Sequence, residues 1–212
     1  MVNSEWFNIS DMTKLPLDFY RGKDVLAIAK NLLGKILVTK WDGLETSGRI
    51  VEVEAYQGVS DKASHAYGGR RTARTETMYA AGGVAYIYLC YGIHHLVNVV
   101  TNKRDIPQAI LIRALEPVKG IDIMLQRTGK KKADFTLTKG PGNVSKALGI
   151  HFSKSGWPLG SKDFFIGDDG FVFPRHLIAS SPRIGVDYAG EDAKLPYRFY
   201  IKGNPFVSGK KK

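Results

Sequence analysis

The sequence predicts a single mixed α/β domain of the α+β kind, organised around antiparallel strands. Three observations predict it. Apolar and polar residues alternate with period two in long runs, clearest in Ile50-Val51-Glu52-Val53-Glu54-Ala55-Tyr56. The turn signals Asp42-Gly43 and Tyr91-Gly92 separate adjacent runs of this kind, as hairpins require. Helical spacing is confined to short stretches, and no repeat, linker or composition break divides the 212 residues. The domain is expected over residues 15–208, with loosely held ends at 1–14 and 209–212.

Taken in order, Asp24 is placed to cap a helix over 25–33, and Gly34 to end it. A strand over 35–41 turns at Asp42-Gly43 into a return strand over 44–56. Residues 58–83 form a long polar crossover containing Gly68-Gly69-Arg70-Arg71-Thr72-Ala73-Arg74, a basic loop that is either mobile or phosphate-binding. A short helical turn at 75–81 closes it. Strands over 84–91 and 94–101 make a hairpin with Tyr91-Gly92 at its tip. Tyr86 and Tyr88 share a face; Tyr91 faces the other way or projects from the turn.

A strand over 109–115 follows, ended by Glu116-Pro117, with Arg113 embedded in an apolar run. A buried arginine calls for a carboxylate. Helical spacing over 118–127 comes next. Lys139-Gly140-Pro141-Gly142-Asn143 then precedes a helix at 144–148, and reads either as an anion site or as ordinary turn chemistry. The last third holds strands over 163–166, 171–173, 181–186 and 197–201, the first two joined at Asp168-Asp169-Gly170.

Charge narrows the function. Against 20 Asp and Glu stand 31 Lys and Arg, a net charge of +11. That suits a polyanionic partner, nucleic acid before membrane, although a basic protein without such a partner fits as well. One cysteine, Cys90, excludes an intrachain disulfide framework and a Cys-rich zinc site, and its strand context reads as a packed thiol. The histidines lack ligand spacing, and His94 and His95 point to opposite faces, so no metal is expected. No signal peptide and no apolar run near the ~20 residues of a membrane span is visible. The expected setting is the cytosol or the compartment that holds DNA.

Two constellations carry chemistry. Glu52 and Glu54 stand two residues apart on one strand face, their Cα atoms ~6.5–7 Å apart. They suit an acid/base pair at a glycosidic bond, or solvated charges, or a partner for Arg113; spacing does not say which glutamate would act. Tyr56, Tyr86, Tyr88 and Tyr91, flanked by basic loops, suit base stacking, although strand tyrosines are often only half-buried sheet residues. Together, a carboxylate, stacking rings, an aromatic hairpin tip and basic loops are what an enzyme acting on an extruded base needs. A non-catalytic nucleic-acid-binding module and a small-molecule glycosidase are the rival readings.

These residues resemble the alkyladenine (3-methyladenine) DNA glycosylases of the vertebrate and bacterial type. The segments that carry the resemblance are Gly48 through Tyr56, Ala63-Ser64-His65, Gly68-Gly69-Arg70, Tyr86 through Gly92, Asn98 and Leu111 through Pro117. Gly140-Pro141, Ala147-Leu148, Arg198-Phe199-Tyr200 and Gly203-Asn204-Pro205 complete it, in order from about residue 20 to Ser208. The resemblance implies a compact domain around a curved antiparallel sheet with a protruding β-hairpin, no metal or other cofactor, double-stranded DNA as partner, no membrane, and a monomer. It implies hydrolysis of the N-glycosidic bond of damaged purines (3-methyladenine, 7-methylguanine, hypoxanthine or ethenoadenine) after flipping. Glu54 then corresponds to the general base, with His65 and Arg113 positioning it. Tyr56, His65 and Tyr88 correspond to the pocket walls, Asn98 to the residue that disfavours guanine, and Tyr91 to the wedge left in the DNA stack. Glu52 has no counterpart role and is expected in a structural ion pair. Two inserted residues in the turn before Arg113, and Tyr188 where some members carry histidine, are departures that bear on substrate range.

Overall fold

The computed structural model describes residues 12–209. Among these, the strands are β1 (Thr13–Lys14), β2 (Ile36–Trp41), β3 (Leu44–Tyr56), β4 (Ala85–Cys90), β5 (His94–Thr101), β6 (Gln108–Lys119), β7 (Phe164–Asp168), β8 (Ile178–Ser181) and β9 (Arg198–Ile201). Short helices fill the connections: α1 (Leu17–Tyr20), α2 (Val25–Leu32), α3 (Ile121–Thr128) and α4 (Pro141–Ala147). This is the mixed α/β class expected.

All strands join one antiparallel sheet in the order β1-β7-β2-β3-β6-β5-β4, with β9 on β3 and β8 on β9. The long strand β3 is its axis. Its first half pairs with β2, from Leu44 to Arg49, and its second half with β9, from Glu52 to Glu54. Its other edge pairs with β6 from Ser47 to Tyr56, but the register slips around residues 50–53, leaving Val51 and Arg113 without a partner opposite. Such bulges bend a strand and sharpen its twist. The sheet curls there, and β3 changes partner.

The concave turn is permitted by a glycine. A Cβ on Gly48 would lie 2.8 Å from the Leu115 Cβ, so β3 and β6 approach more closely there than a side chain allows. One face of the curled sheet packs the main core: Val51, Val53 and Ala55 of β3, Ile110, Ile112 and Ala114 of β6, Val97 and Val99 of β5, Ala85 and Ile87 of β4. Helix α2 adds Val25, Ile28, Ala29 and Leu32, and Asp24 caps it by accepting from the Leu26 and Ala27 amides at 2.9 and 3.1 Å. The opposite face, bearing the glutamates and tyrosines, remains for other use.

Several expectations need correction. Pro117 does not end β6: it lies opposite Gly48 at a register slip, where a missing N–H costs the ladder little, and the strand continues to Lys119. Helix α3 therefore starts at Ile121, behind Gly120, rather than at 118. Helix α4 starts earlier than expected, with Pro141 in its first turn, where proline's fixed φ suits a helix. Residues 171–173 form no strand, and the expected strand over 181–186 is displaced to β8. Thr13 and Lys14, assigned to the loose N-terminal end, pair with Asp168 and Gly167. Residues 1–11 and 210–212 lie outside the described residues. Cys90 is half-buried rather than packed away.

Substituting Gly48→Ala should lower the urea unfolding midpoint with little change in slope, corresponding to about 1–3 kcal/mol, because neither Leu115 nor the Glu116 backbone can retreat.

Candidate active site

The free face of the sheet builds the site by register alone. Glu54 lies opposite Leu111, Leu111 opposite Asn98, and Asn98 opposite Tyr86. Residues directly opposite share a face, so a single cross-strand row runs over β3, β6, β5 and β4. Tyr56 and Tyr88, each two residues further along their strands, join the same face. A cavity of about 390 Å³ opens above the row, a volume that suits a small ligand. Its lining includes Tyr56, His65, Tyr88, Asn98 and Arg113. Tyr91 stands at its rim, at the hairpin tip.

Glu54 lies one layer behind this lining and is wholly buried. Its Oε2 accepts from Tyr56 Oη at 3.0 Å and from Arg113 Nη1 at 3.3 Å. Its Oε1 accepts from the Ile184 amide at 2.7 Å. Burial raises its pKa above the usual glutamate value; Arg113, the Ile184 amide and Tyr56 offset that only in part, and the charge of Glu52 adds to it.

Glu52 is equally buried but far better compensated. Its Oε1 meets Arg113 Nε at 3.1 Å, Arg198 Nε at 2.7 Å and Ser208 Oγ at 2.8 Å, and its Oε2 accepts from the Ser208 amide at 2.5 Å. Desolvation opposes its ionisation, but the Arg113 and Arg198 charges and the Ser208 amide outweigh that and hold its carboxyl below the usual range. Glu52 is thus the structural ion pair expected of it. One guanidinium, Arg113, serves both carboxylates.

His65 comes from the crossover, half-buried. Its Nδ1 is 2.9 Å from Tyr86 Oη, and its ring meets Tyr88 edge-on with centroids 4.6 Å apart. Burial, then the charges of Arg74 and Arg70, push its pKa down to about 4, so the ring is neutral at neutral pH. Asn98 spends both amide hydrogens on the Tyr86 and Leu96 carbonyls, at 3.1 and 3.3 Å, which fixes its side chain on the cavity floor. Tyr91 projects into solvent, 91% exposed, with φ of 50° at the hairpin tip. The structure therefore brings Glu54, Tyr56, His65, Tyr88, Asn98 and Arg113 around one cavity, with Tyr91 lining its rim.

Other residues of the site carry little sequence signal. Asp61 and Arg183 form a buried two-point pair, at 2.5 and 2.8 Å, and Arg183 also donates to the Ala55 carbonyl at 3.0 Å. This pins the segment that presents the Ile184 amide to Glu54. Tyr188 donates to the Ala63 carbonyl at 3.1 Å and lines the mouth. In the basic loop, Arg71 is tied to Glu76 and Asp105, so it is not a free arm. Gly142 has a packing reason: a Cβ there would lie 2.9 Å from His94 Nδ1, on the hairpin. No cluster of three or more metal-ligating side chains occurs among the described residues, nor any helix long and apolar enough to cross a membrane.

Comparison with known proteins agrees with this geometry. The model of the methylpurine-DNA glycosylase (MPG) family matches residues 18–205. A Bacillus cereus (strain G9842) protein named "Putative 3-methyladenine DNA glycosylase" is 51% identical over 203 residues, covering 92% of this chain and 98% of its own. Proteins of the same name from Bacillus thuringiensis (strain Al Hakam) and Bacillus anthracis (strain CDC 684 / NRRL 3495) are each 49% identical over the same coverage. The chain belongs to the methylpurine-DNA glycosylase family, and is a hydrolytic DNA glycosylase of the 3-methyladenine type.

Proposed function

We propose that the protein flips a damaged purine from duplex DNA into the cavity and hydrolyses its N-glycosidic bond with water activated by Glu54. The observation that carries this reading is the setting of Glu54: a buried carboxylate of raised pKa, held by Arg113, directly behind a cavity walled by aromatic rings. The substrates are 3-methyladenine, 7-methylguanine, hypoxanthine and ethenoadenine type lesions, and the product is an abasic site. The domain of 15–208 acts as a monomer.

The steps follow from the side chains. Tyr56 on one side, and Tyr88 with His65 on the other, sandwich the base, and electron-poor rings gain most from such stacking. Asn98 cannot swing aside, so the exocyclic amino group of guanine meets a fixed obstacle. Tyr91 enters the space that the base vacates and offsets lost stacking. Glu54 Oε1 accepts one protein hydrogen bond and so keeps a lone pair for water. Water adds to C1′, its proton passes to Glu54, and the glycosidic electron pair leaves with the base. The negative charge of Glu54 also stabilises the cationic sugar of the transition state. Arg113 holds the carboxylate in place and, through Glu52, is itself fixed to β9 and Ser208.

Three outcomes are expected. Glu54→Gln should lower single-turnover release of hypoxanthine from duplex DNA by ~10²–10⁴-fold with DNA affinity largely kept; undiminished release would refute the mechanism, and release from free nucleoside would favour the small-molecule rival. The rate should fall as pH drops through the raised pKa of Glu54, placing the acid limb above the usual glutamate value of ~4.3; His65, already neutral, adds no limb near pH 7. Tyr91→Ser should slow excision from paired DNA more than from single strands, and an equal effect on both would remove the wedge role.

A further inference from the structure

The two aromatic walls of the cavity are backed by arginines of opposite circumstance. The Arg183 guanidinium sits 4.8 Å from the Tyr56 ring centroid, and the Arg74 guanidinium 5.2 Å from that of Tyr88. Neither arginine belongs to the cavity lining. At Tyr56 the charge is cancelled: Asp61 grips Arg183 through both carboxylate oxygens. At Tyr88 it is not. Among the described residues no carboxylate pairs with Arg74, whereas its loop neighbour Arg71 engages Glu76 and Asp105. The glutamates of the site lie across the cavity, on β3, and both are already bound to Arg113. A net positive charge therefore stands behind the wall formed by Tyr88, Tyr86 and His65.

That charge acts with opposite sign on two kinds of lesion. When a neutral purine leaves, the C1′–N9 electron pair goes with it and the base becomes anionic, which a nearby cation stabilises. When an N-alkylated purine leaves, it starts as a cation, so a nearby cation opposes its entry into the cavity; the same electron pair then neutralises it, and this relief in the transition state returns only part of what entry cost. In both cases water supplies the hydroxyl at C1′ and its proton goes to Glu54.

We propose that Arg74 sets the balance between neutral and cationic lesions, favouring expulsion of neutral purines such as hypoxanthine and disfavouring N-alkylated cations such as 7-methylguanine. This rests on the base-flipping reading above. Arg74 touches no reacting atom; it is a specificity-determining residue acting through the Tyr88 wall.

The test is single-turnover excision of hypoxanthine and of 7-methylguanine from otherwise identical duplexes by wild type, R74Q and R74K. In R74Q the ratio of hypoxanthine to 7-methylguanine rates should fall by about 3–10-fold, the size of a partly exposed cation–ring interaction. R74K should stay within about twofold of wild type. An unchanged ratio in R74Q overturns the proposal. So does an equal loss on both lesions with a shallower salt dependence of binding, which would make Arg74 a phosphate contact. So does R74K behaving like R74Q. If wild type releases neither base, the flipping reading falls, and this proposal with it; if wild type releases both and only the ratio fails to move, the flipping reading stands alone.

Discussion

Arg113 is the interaction on which the site depends. It lies at a bulge, opposite no residue of the neighbouring strand, and reaches two buried carboxylates at once. Two ionised glutamates on one strand face would repel each other in a medium with little water. A single guanidinium between them makes the pair tolerable, and removing one partner of such a buried network typically costs ~3–5 kcal/mol. The bulge serves this pairing. It also lets β3 leave β2 and take up β9, which delivers Arg198 to Glu52.

The sharing is unequal, and the inequality separates the roles. Glu52 has two arginines and both donors of Ser208. Glu54 has one more distant arginine, one phenol and one amide. The same burial therefore yields opposite shifts, downward at Glu52 and upward at Glu54. A carboxylate saturated with donors is a strut. One that is less well satisfied, behind a cavity, is the one for which we propose proton uptake from water.

Much of this could be read from the chain. The period-two run ending at Tyr56 and the hairpin strand His94–Thr101 are local patterns, and both strands have the expected bounds. The pairing of Arg113 with a carboxylate followed from one charge in an apolar run. The choice between Glu52 and Glu54 did not follow from alternation; it came only with the family resemblance. The reason is sequence distance: the donors that make Glu52 structural lie 146 and 156 residues away. The Asp61–Arg183 pair is separated by 122 residues and its members look like ordinary loop charges. Pro117 reads as a stop, yet a proline stops a strand only where its missing N–H would be paired, and a register slip removes that demand. Tyr91 was recognisable as a tip residue, but its full exposure is a property of the folded hairpin.

Two buried glutamates that share Arg113 divide into an ionised strut and a carboxyl of raised affinity for protons because Arg198 and Ser208 serve Glu52 alone. Isotope-edited infrared titration of the glutamate carboxyls measures it directly, with Glu52→Gln and Glu54→Gln assigning the bands. Glu54 is expected to take up its proton above the usual glutamate range near ~4.3, while Glu52 stays ionised below it. Titration in the reverse order, or of both carboxyls together at the ordinary value, would contradict that division.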